Sequence, residues 1–164
     1  LFLSRIAFRK RSLALLKETF AWARAAQPTQ PLTTGEWFND SALNAYLLET
    51  SDVLTFHNYN DAENLADQFA RNKPHRRPLI CTEYMARTRG SRFATHLPIF
   101  EREGVGCYNW GLVSGKTQTI YPWGSKKGPA EPEVWFHDIF RKDGTPYSVD
   151  EVELIKNLTN EHRV

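Results

Sequence analysis

"RPLICTEYMAR", residues Arg77 to Arg87, decides how the rest of the chain is read. Pro78-Leu79-Ile80-Cys81 is an apolar run of strand length, and Thr82, Glu83 and Tyr84 follow at once. A strand without polar alternation is expected to be buried on both faces, as parallel strands are. A carboxylate at the end of such a strand is either a solvated loop acid or a group aimed into a pocket. Which of the two holds depends on the neighbours.

Upstream, "AENLADQFARNK" places Leu65 and Phe69 at i, i+4 and predicts a helix that Pro74 ends. Before it, "SDVLTFHNYND" predicts a strand over Asp52 to Phe56 that ends in polar and aromatic residues. "SALNAYLLET" predicts another helix, with Ser41 as its cap. "QPLTTGEW" predicts a short extended run, Pro31 to Thr34, ending at Gly35-Glu36-Trp37. In "SLALLKETFAWARAAQP", Ser12 is a candidate N-cap, and Leu13, Leu16, Phe20 and Ala23 or Arg24 keep helical spacing until Pro28. Downstream, "SRFATHLPIFEREG" predicts a helix that Pro98 kinks or confines to its second half, with Gly104 as its C′ residue. "VGCYNWGLV" predicts the next strand.

Strands that alternate with helices imply parallel pairing through right-handed crossovers. Beyond Gly111 the texture changes. "SGKTQTIYPWGSKKGPAEPE" reads as a long loop, of the kind that often carries function. "PEVWFHDIF" predicts a short helix or helical turn, and Val149 to Leu158 a closing helix.

The bulk properties fit one domain. The 164 residues are 41% hydrophobic and 13% aromatic, enough for a real core rather than disorder. A net charge of +2 argues against a general affinity for nucleic acid, and the basic cluster Arg5, Arg9, Lys10 and Arg11 reads as a solvated end. No apolar run reaches the ~20 residues of a membrane helix. The basic cluster follows the first apolar residues, the reverse of a signal peptide. Compartment stays open between cytoplasm and secretion. The chain starts at Leu1 without Met, which suggests a fragment or a processed product. Cys81 and Cys107 read as reduced core thiols, with a disulfide left open and no zinc-ligand spacing. His75, His96 and His137 have no such spacing either and read as structural or solvated.

In parallel α/β architectures, ligands bind at the C-terminal ends of the strands. Here those ends carry Glu36-Trp37, His57-Asn58-Tyr59-Asn60-Asp61, Glu83-Tyr84 and Asn109-Trp110. Carboxylates, amides, an imidazole and flat aromatic rings together suit a sugar, whose apolar faces stack on Trp and whose hydroxyls need donors and acceptors. The bland alternatives are open at several positions. Asn58 and Asn60 also suit turns, and Asp61 suits the cap of the following helix. Arg87 and Arg89 read as surface arginines before they read as substrate ligands.

"HNYND", "RPLICTEYMARTRGS", "NWGLVSGKTQTIYPWGS" and "PEVWFHDIFRKDGTPY" resemble the second half of a clan-A glycoside hydrolase barrel, of the bacterial cellulase-like or xylanase-like type. The likeness runs from about Leu13 to Leu158. It implies an α/β fold of the (β/α)8 TIM-barrel type, of which about four strand-helix units, the C-terminal half, are present. Residues 1–11 are then an unassigned basic segment, 12–160 the half-barrel and 161–164 a tail.

The resemblance implies a retaining hydrolase acting on β-glycosidic bonds by double displacement. Glu83 matches the nucleophile at the end of strand seven, and Trp110 the tryptophan floor after strand eight. His57 and Tyr59 match the residues that bond the nucleophile or the sugar, and their hydrogen bonds are expected to favour its charged form. Asn58, Tyr84, Trp37 and Trp123 are further candidates for substrate binding. No cofactor or metal is implied; the partner is a carbohydrate.

One departure matters. The clan's acid/base glutamate follows an asparagine after strand four, and retaining enzymes hold the two carboxyl groups roughly 5 Å apart. The one Asn-Glu pair here, Asn160-Glu161, lies in the polar tail. Glu36 is a weak substitute. A full barrel needs about 250 residues, rarely fewer than about 200. The expectation is therefore the nucleophile half, with little or no activity alone. The alternatives are a non-catalytic carbohydrate-binding remnant, or a half-barrel that self-associates through its exposed edges.

Overall fold

The computed structural model describes residues 2–36, 40–126 and 130–160, and the side chains of 11–36, 40–126 and 130–159. Among the described residues the fold is α/β, with five α-helices and a three-stranded parallel sheet. The order is α1 (Phe2–Ala25), α2 (Ser41–Thr50), β1 (Leu54–Asn58), α3 (Ala62–Asn72), β2 (Leu79–Tyr84), α4 (Phe93–Glu103), β3 (Gly106–Asn109) and α5 (Val149–Asn160). The strands lie in sequence order, with β2 central.

Several expectations are met and several are corrected. Helix α1 begins at Phe2, so Ser12 lies inside it rather than capping it. No Gly or Pro interrupts Phe2 to Ala25, and nothing local stops the helix there. The cap of α2 is Asp40, whose carboxylate accepts from the Leu43 N–H; Ser41 is the first helical residue. Asp61 caps α3 through the Asn64 N–H. Gly104 ends α4 in the left-handed region, φ 63°.

Pro98 does not confine α4 to its second half; the helix starts five residues earlier. Phe93, His96 and Phe100 are buried on both sides of the proline. Their burial offsets the lost helical bond, roughly 3 kcal/mol.

The segment from Pro31 to Thr34 is not a strand. It runs beside β1 through one parallel bridge, Gly35 to Thr55, and the Glu36 N–H donates to Thr55 O (2.9 Å). Pro31 has no N–H to give a ladder. One further backbone bond, Asp52 N–H to Leu32 O (2.7 Å), and two side chains complete the pairing: the Leu32 N–H donates to Asp52 Oδ2 (2.7 Å) and Thr33 Oγ1 to Val53 O (2.6 Å).

"PEVWFHDIF" is not helical. Its N–H groups reach across to the preceding loop: Phe136 to Ile120 O, His137 to Thr119 O, Ile139 and Phe140 to Leu112 O. With those donors committed, an i→i−4 ladder cannot form.

The core lies between the sheet and α3–α5. Phe56, Leu65, Phe69, Cys81, Tyr84, Phe93, Phe100 and Val152 are buried there. The rings meet edge to face, Phe56 on Phe69 at 5.9 Å and Tyr84 on Phe100 at 4.9 Å, the geometry the aromatic quadrupole favours.

The register contains the feature that places the site. Phe56 pairs with Cys81, but the next residue of β1, His57, pairs with Glu83. Thr82 is therefore an extra residue in β2. The ladder to β3 shifts over the same stretch, Cys81 to Cys107 and then Tyr84 to Asn109. With regular alternation Cys81 and Glu83 would share a face. The bulge turns Glu83 away from the core and leaves Cys81 and Tyr84 in it.

Candidate functional site

Beyond the bulge, Glu83 is half-buried, 25% exposed, and one of its oxygens gathers two neighbours. Tyr59 Oη donates to Oε2 at 2.7 Å, and His57 Nδ1 lies 3.2 Å from the same atom. Both neighbours come from the end of β1. Burial, then the hydrogen bond and charge of Glu83, push the Tyr59 phenol far above its usual range. The phenol therefore stays protonated and remains a donor at any ordinary pH.

Glu83, His57 and Tyr59 open into a cavity of about 610 Å³, whose wall also includes Trp110, Trp123 and Arg89. That volume is in the range of small-ligand sites. A neighbouring cavity of about 370 Å³ shares Trp110 and Trp123 and is walled by Thr119, Lys126 and His137. The two tryptophans thus line both hollows. Both are exposed, Trp110 by 46% and Trp123 by 55%, while Tyr59 packs edge-on against Trp123 at 4.8 Å.

Trp110 is positioned by the backbone. Its N–H donates to Tyr84 O at 3.0 Å, and Gly111 follows with φ 85°. A Cβ at Gly111 would lie 2.6 Å from Asp138 Oδ1 and 2.8 Å from His137 Cβ. Only glycine lets the chain turn there against the 137–138 segment. Asp138 is fully buried and accepts from Thr119 Oγ1 (2.7 and 2.9 Å).

His137 is buried as well, with its Nδ1 2.5 Å from Met85 O. Burial lowers its pKa, so the ring is neutral with the proton on Nδ1 facing that carbonyl. Its Nε2 then carries a lone pair that no described residue satisfies. Nothing in the sequence around His137 signals this wall position; it follows from the loop crossing that buries the residue.

Two expected ligands lie elsewhere. Tyr84 is 1% exposed and belongs to the core, its ring against Phe93, Phe100 and His96. Asn58 is 2% exposed and turns toward α3, where it donates to Gln68 Oε1 (2.8 Å) and Asn64 Oδ1 (3.0 Å). The reason is strand alternation: Asn58 shares a face with Phe56, not with His57. Trp37 lies outside the described residues, as does Glu161.

Glu36 touches the rim of the larger cavity, but its carboxylate accepts from Asn72 Nδ2 on α3. Burial raises its pKa, against the opposing effects of Asn72, Arg71 and His75. Gly35 shares the Thr55 face, since its Cβ would meet Thr55 Oγ1 at 3.9 Å. Glu36 therefore points to the helix side of the sheet.

Arg87 and Arg89, three-residue-turn neighbours, have different fates. Arg87 is 4% exposed and structural. It holds Glu151 with Nε and Nη2, and the carbonyls of Trp135 and Asp138 with its two terminal nitrogens. Arg89 is exposed on the cavity wall.

Cys81 and Cys107 are free thiols, pushed up by burial to about 12 and about 11 respectively. They stay protonated and unreactive at neutral pH. Among the described residues, no group of His, Cys, Asp or Glu is placed to hold a metal ion, and no helix is long and apolar enough to cross a membrane.

The chain matches no protein-family model, and no curated protein matches it significantly.

Proposed function

We propose that this chain is the nucleophile half of a retaining β-glycoside hydrolase of the (β/α)8 type, with Glu83 as nucleophile. One observation carries the reading. A carboxylate at the C-terminal end of the central parallel strand is oriented by a phenol and an imidazole inside a tryptophan-walled cavity. Glu83 Oε1 has no protein donor among the described residues, so one oxygen is left to attack an anomeric carbon. Trp110 supplies the floor for the sugar face, and Trp123 a second platform.

The test uses 2,4-dinitrophenyl 2-deoxy-2-fluoro-β-D-glucoside. Glu83 attacks C1, the C1–O bond breaks, and dinitrophenolate leaves with the electron pair. That leaving group needs no proton, so the experiment does not depend on an acid/base residue. The fluorine destabilises the oxocarbenium-like transition state of hydrolysis, and the glycosyl-enzyme accumulates. We expect one glycosyl adduct on the Glu83 peptide by mass spectrometry, absent in Glu83→Gln. No adduct, or an adduct elsewhere, sinks the reading.

A second reading has its own support. The other described carboxylate on the cavity wall, Glu36, has one oxygen held by Asn72. A non-catalytic carbohydrate-binding role fits that arrangement. Sugar binding that Trp110→Ala abolishes, without any adduct, would favour it. Self-association through the sheet edge is the third arrangement. Tyr108, Leu112 and Val113 are exposed in or after β3, and sedimentation distinguishes monomer from dimer.

A further inference from the structure

Arg89 has the position of a ligand-binding cation with no carboxylate partner among the described residues. It belongs to the short turn Arg87–Arg89, which is fixed at both ends. Arg87 is buried under Glu151, and Ala86 bridges Ser91 in antiparallel fashion. Gly90 closes the turn at φ 89° against Asp61. The Arg89 backbone is thus held, while its side chain is exposed and lines the Glu83 cavity.

The guanidinium lies over the Trp123 ring, 5.5 Å from its centroid. It has no carboxylate partner and no side-chain hydrogen bond among the described residues. Asp61, which lies against Gly90 of the same turn, has its Oδ1 engaged at the cap of α3. An aromatic ring under a guanidinium fixes the plane but satisfies none of its five N–H donors. Lys126 stands on the wall of the adjoining cavity, on the other side of the tryptophan pair. A sugar lying on Trp110 in the same cavity would therefore meet, beside Trp123, an unpaired fork of donors.

We infer that Arg89 selects an acidic sugar, and that the site takes a β-linked uronic acid whose carboxylate the guanidinium binds through paired N–H donors. Planar carboxylate and planar guanidinium match in a two-bond geometry that a hydroxymethyl group cannot make. This rests on the sugar-site reading above and adds the substrate class to it.

The test compares methyl β-D-glucuronide with methyl β-D-glucoside, which differ only in carboxylate against hydroxymethyl at C6. D-glucose 6-sulfate, cellobiose and xylobiose are further probes, and binding is followed by NMR titration. The glucuronide is expected to bind about 5- to 10-fold tighter than the glucoside at low salt, with the ratio shrinking as salt rises. The ratio should fall to about one in Arg89→Gln and survive in part in Arg89→Lys. A residue that merely props Trp123 would change both affinities together and leave the ratio intact.

A wild-type ratio near one, a ratio that persists in Arg89→Gln, or tighter binding of the sulfate than of the glucuronide overturns the inference while the sugar reading stands. If none of the five sugars binds, the sugar reading itself fails and this inference goes with it.

Discussion

Tyr59 donates its hydroxyl to Glu83 across the first two strands of the sheet, 2.7 Å from oxygen to oxygen. The bond exists because the Thr82 bulge brings Glu83 into line with His57 rather than Phe56. Hydrogen bonds to a charged group contribute about 1.5–3 kcal/mol, and this one fixes which carboxylate oxygen faces the cavity. Tyr59→Phe is therefore expected to slow labelling of Glu83 by the fluoroglucoside by about 10- to 100-fold. The thermal midpoint should change little, since the ring keeps its contact with Trp123. Adduct formation against time, with a melting curve beside it, checks both statements. Unchanged labelling would remove Tyr59 from the proposed machinery.

Gly111 connects β3 to the loop that carries Trp123, and it does so where no side chain fits. Gly111→Ala meets two costs, a left-handed backbone (about 1–2 kcal/mol) and contact with Asp138 and His137 that must be relieved by moving the backbone. We expect a loss of roughly 2–4 kcal/mol in urea unfolding and a changed Trp fluorescence spectrum from Trp110. A variant of wild-type stability would show that the 137–138 segment yields more easily than its hydrogen bonds suggest.

The alternation of apolar strands and amphipathic helices was legible in the sequence, because periodicity reports which face of an element is buried. So was the meeting of Glu83, His57, Tyr59 and Trp110 at one rim, which follows from parallel strand order. The bulge at Thr82 was not. A one-residue register shift leaves no mark in an apolar run, yet it decides that Glu83 faces the cavity and Tyr84 the core. Asn58 differs for a related reason: its polar type suggests the rim, while strand parity places it under α3. The loop-to-loop hydrogen bonds that replace a helix over residues 132–140 connect segments some twenty residues apart, beyond any local signal.

Arg87 fastens the end of β2 to the C-terminal segment. It is almost fully buried, pairs with Glu151, and caps the carbonyls of Trp135 and Asp138. Arg87→Leu keeps the packing volume but leaves Glu151 and two carbonyls without a partner. Removing one side of such a pair costs about 3–5 kcal/mol. A loss of that order is expected in chemical unfolding, with hydrogen exchange rising first in α5 and around Trp135. A loss below about 1 kcal/mol, the range of an exposed pair, would mean that water replaces the guanidinium there.

Acid should weaken the fold before its carboxylates titrate. His96 is fully buried, with Nε2 donating to Asn60 O (3.1 Å), and His137 is buried against Met85. Burial lowers both pKa values from the ordinary 6.5, against weaker opposing effects from Asp61 on His96 and Asp138 on His137. The unfolded chain therefore binds protons at these rings at a pH where the folded chain does not. Their contribution is complete above pH 6.5 and is lost as the pH falls through the lowered folded values. Glu36 acts in the opposite sense, since its raised pKa favours the folded state when protonated. Measuring the urea midpoint at pH 7.5 and 5.5 in a Glu36→Gln background separates the two effects. We expect a lower midpoint at pH 5.5, and a smaller drop when His96 is replaced by Gln, which can still donate to Asn60. An equal drop with and without His96 would assign the acid sensitivity to other groups.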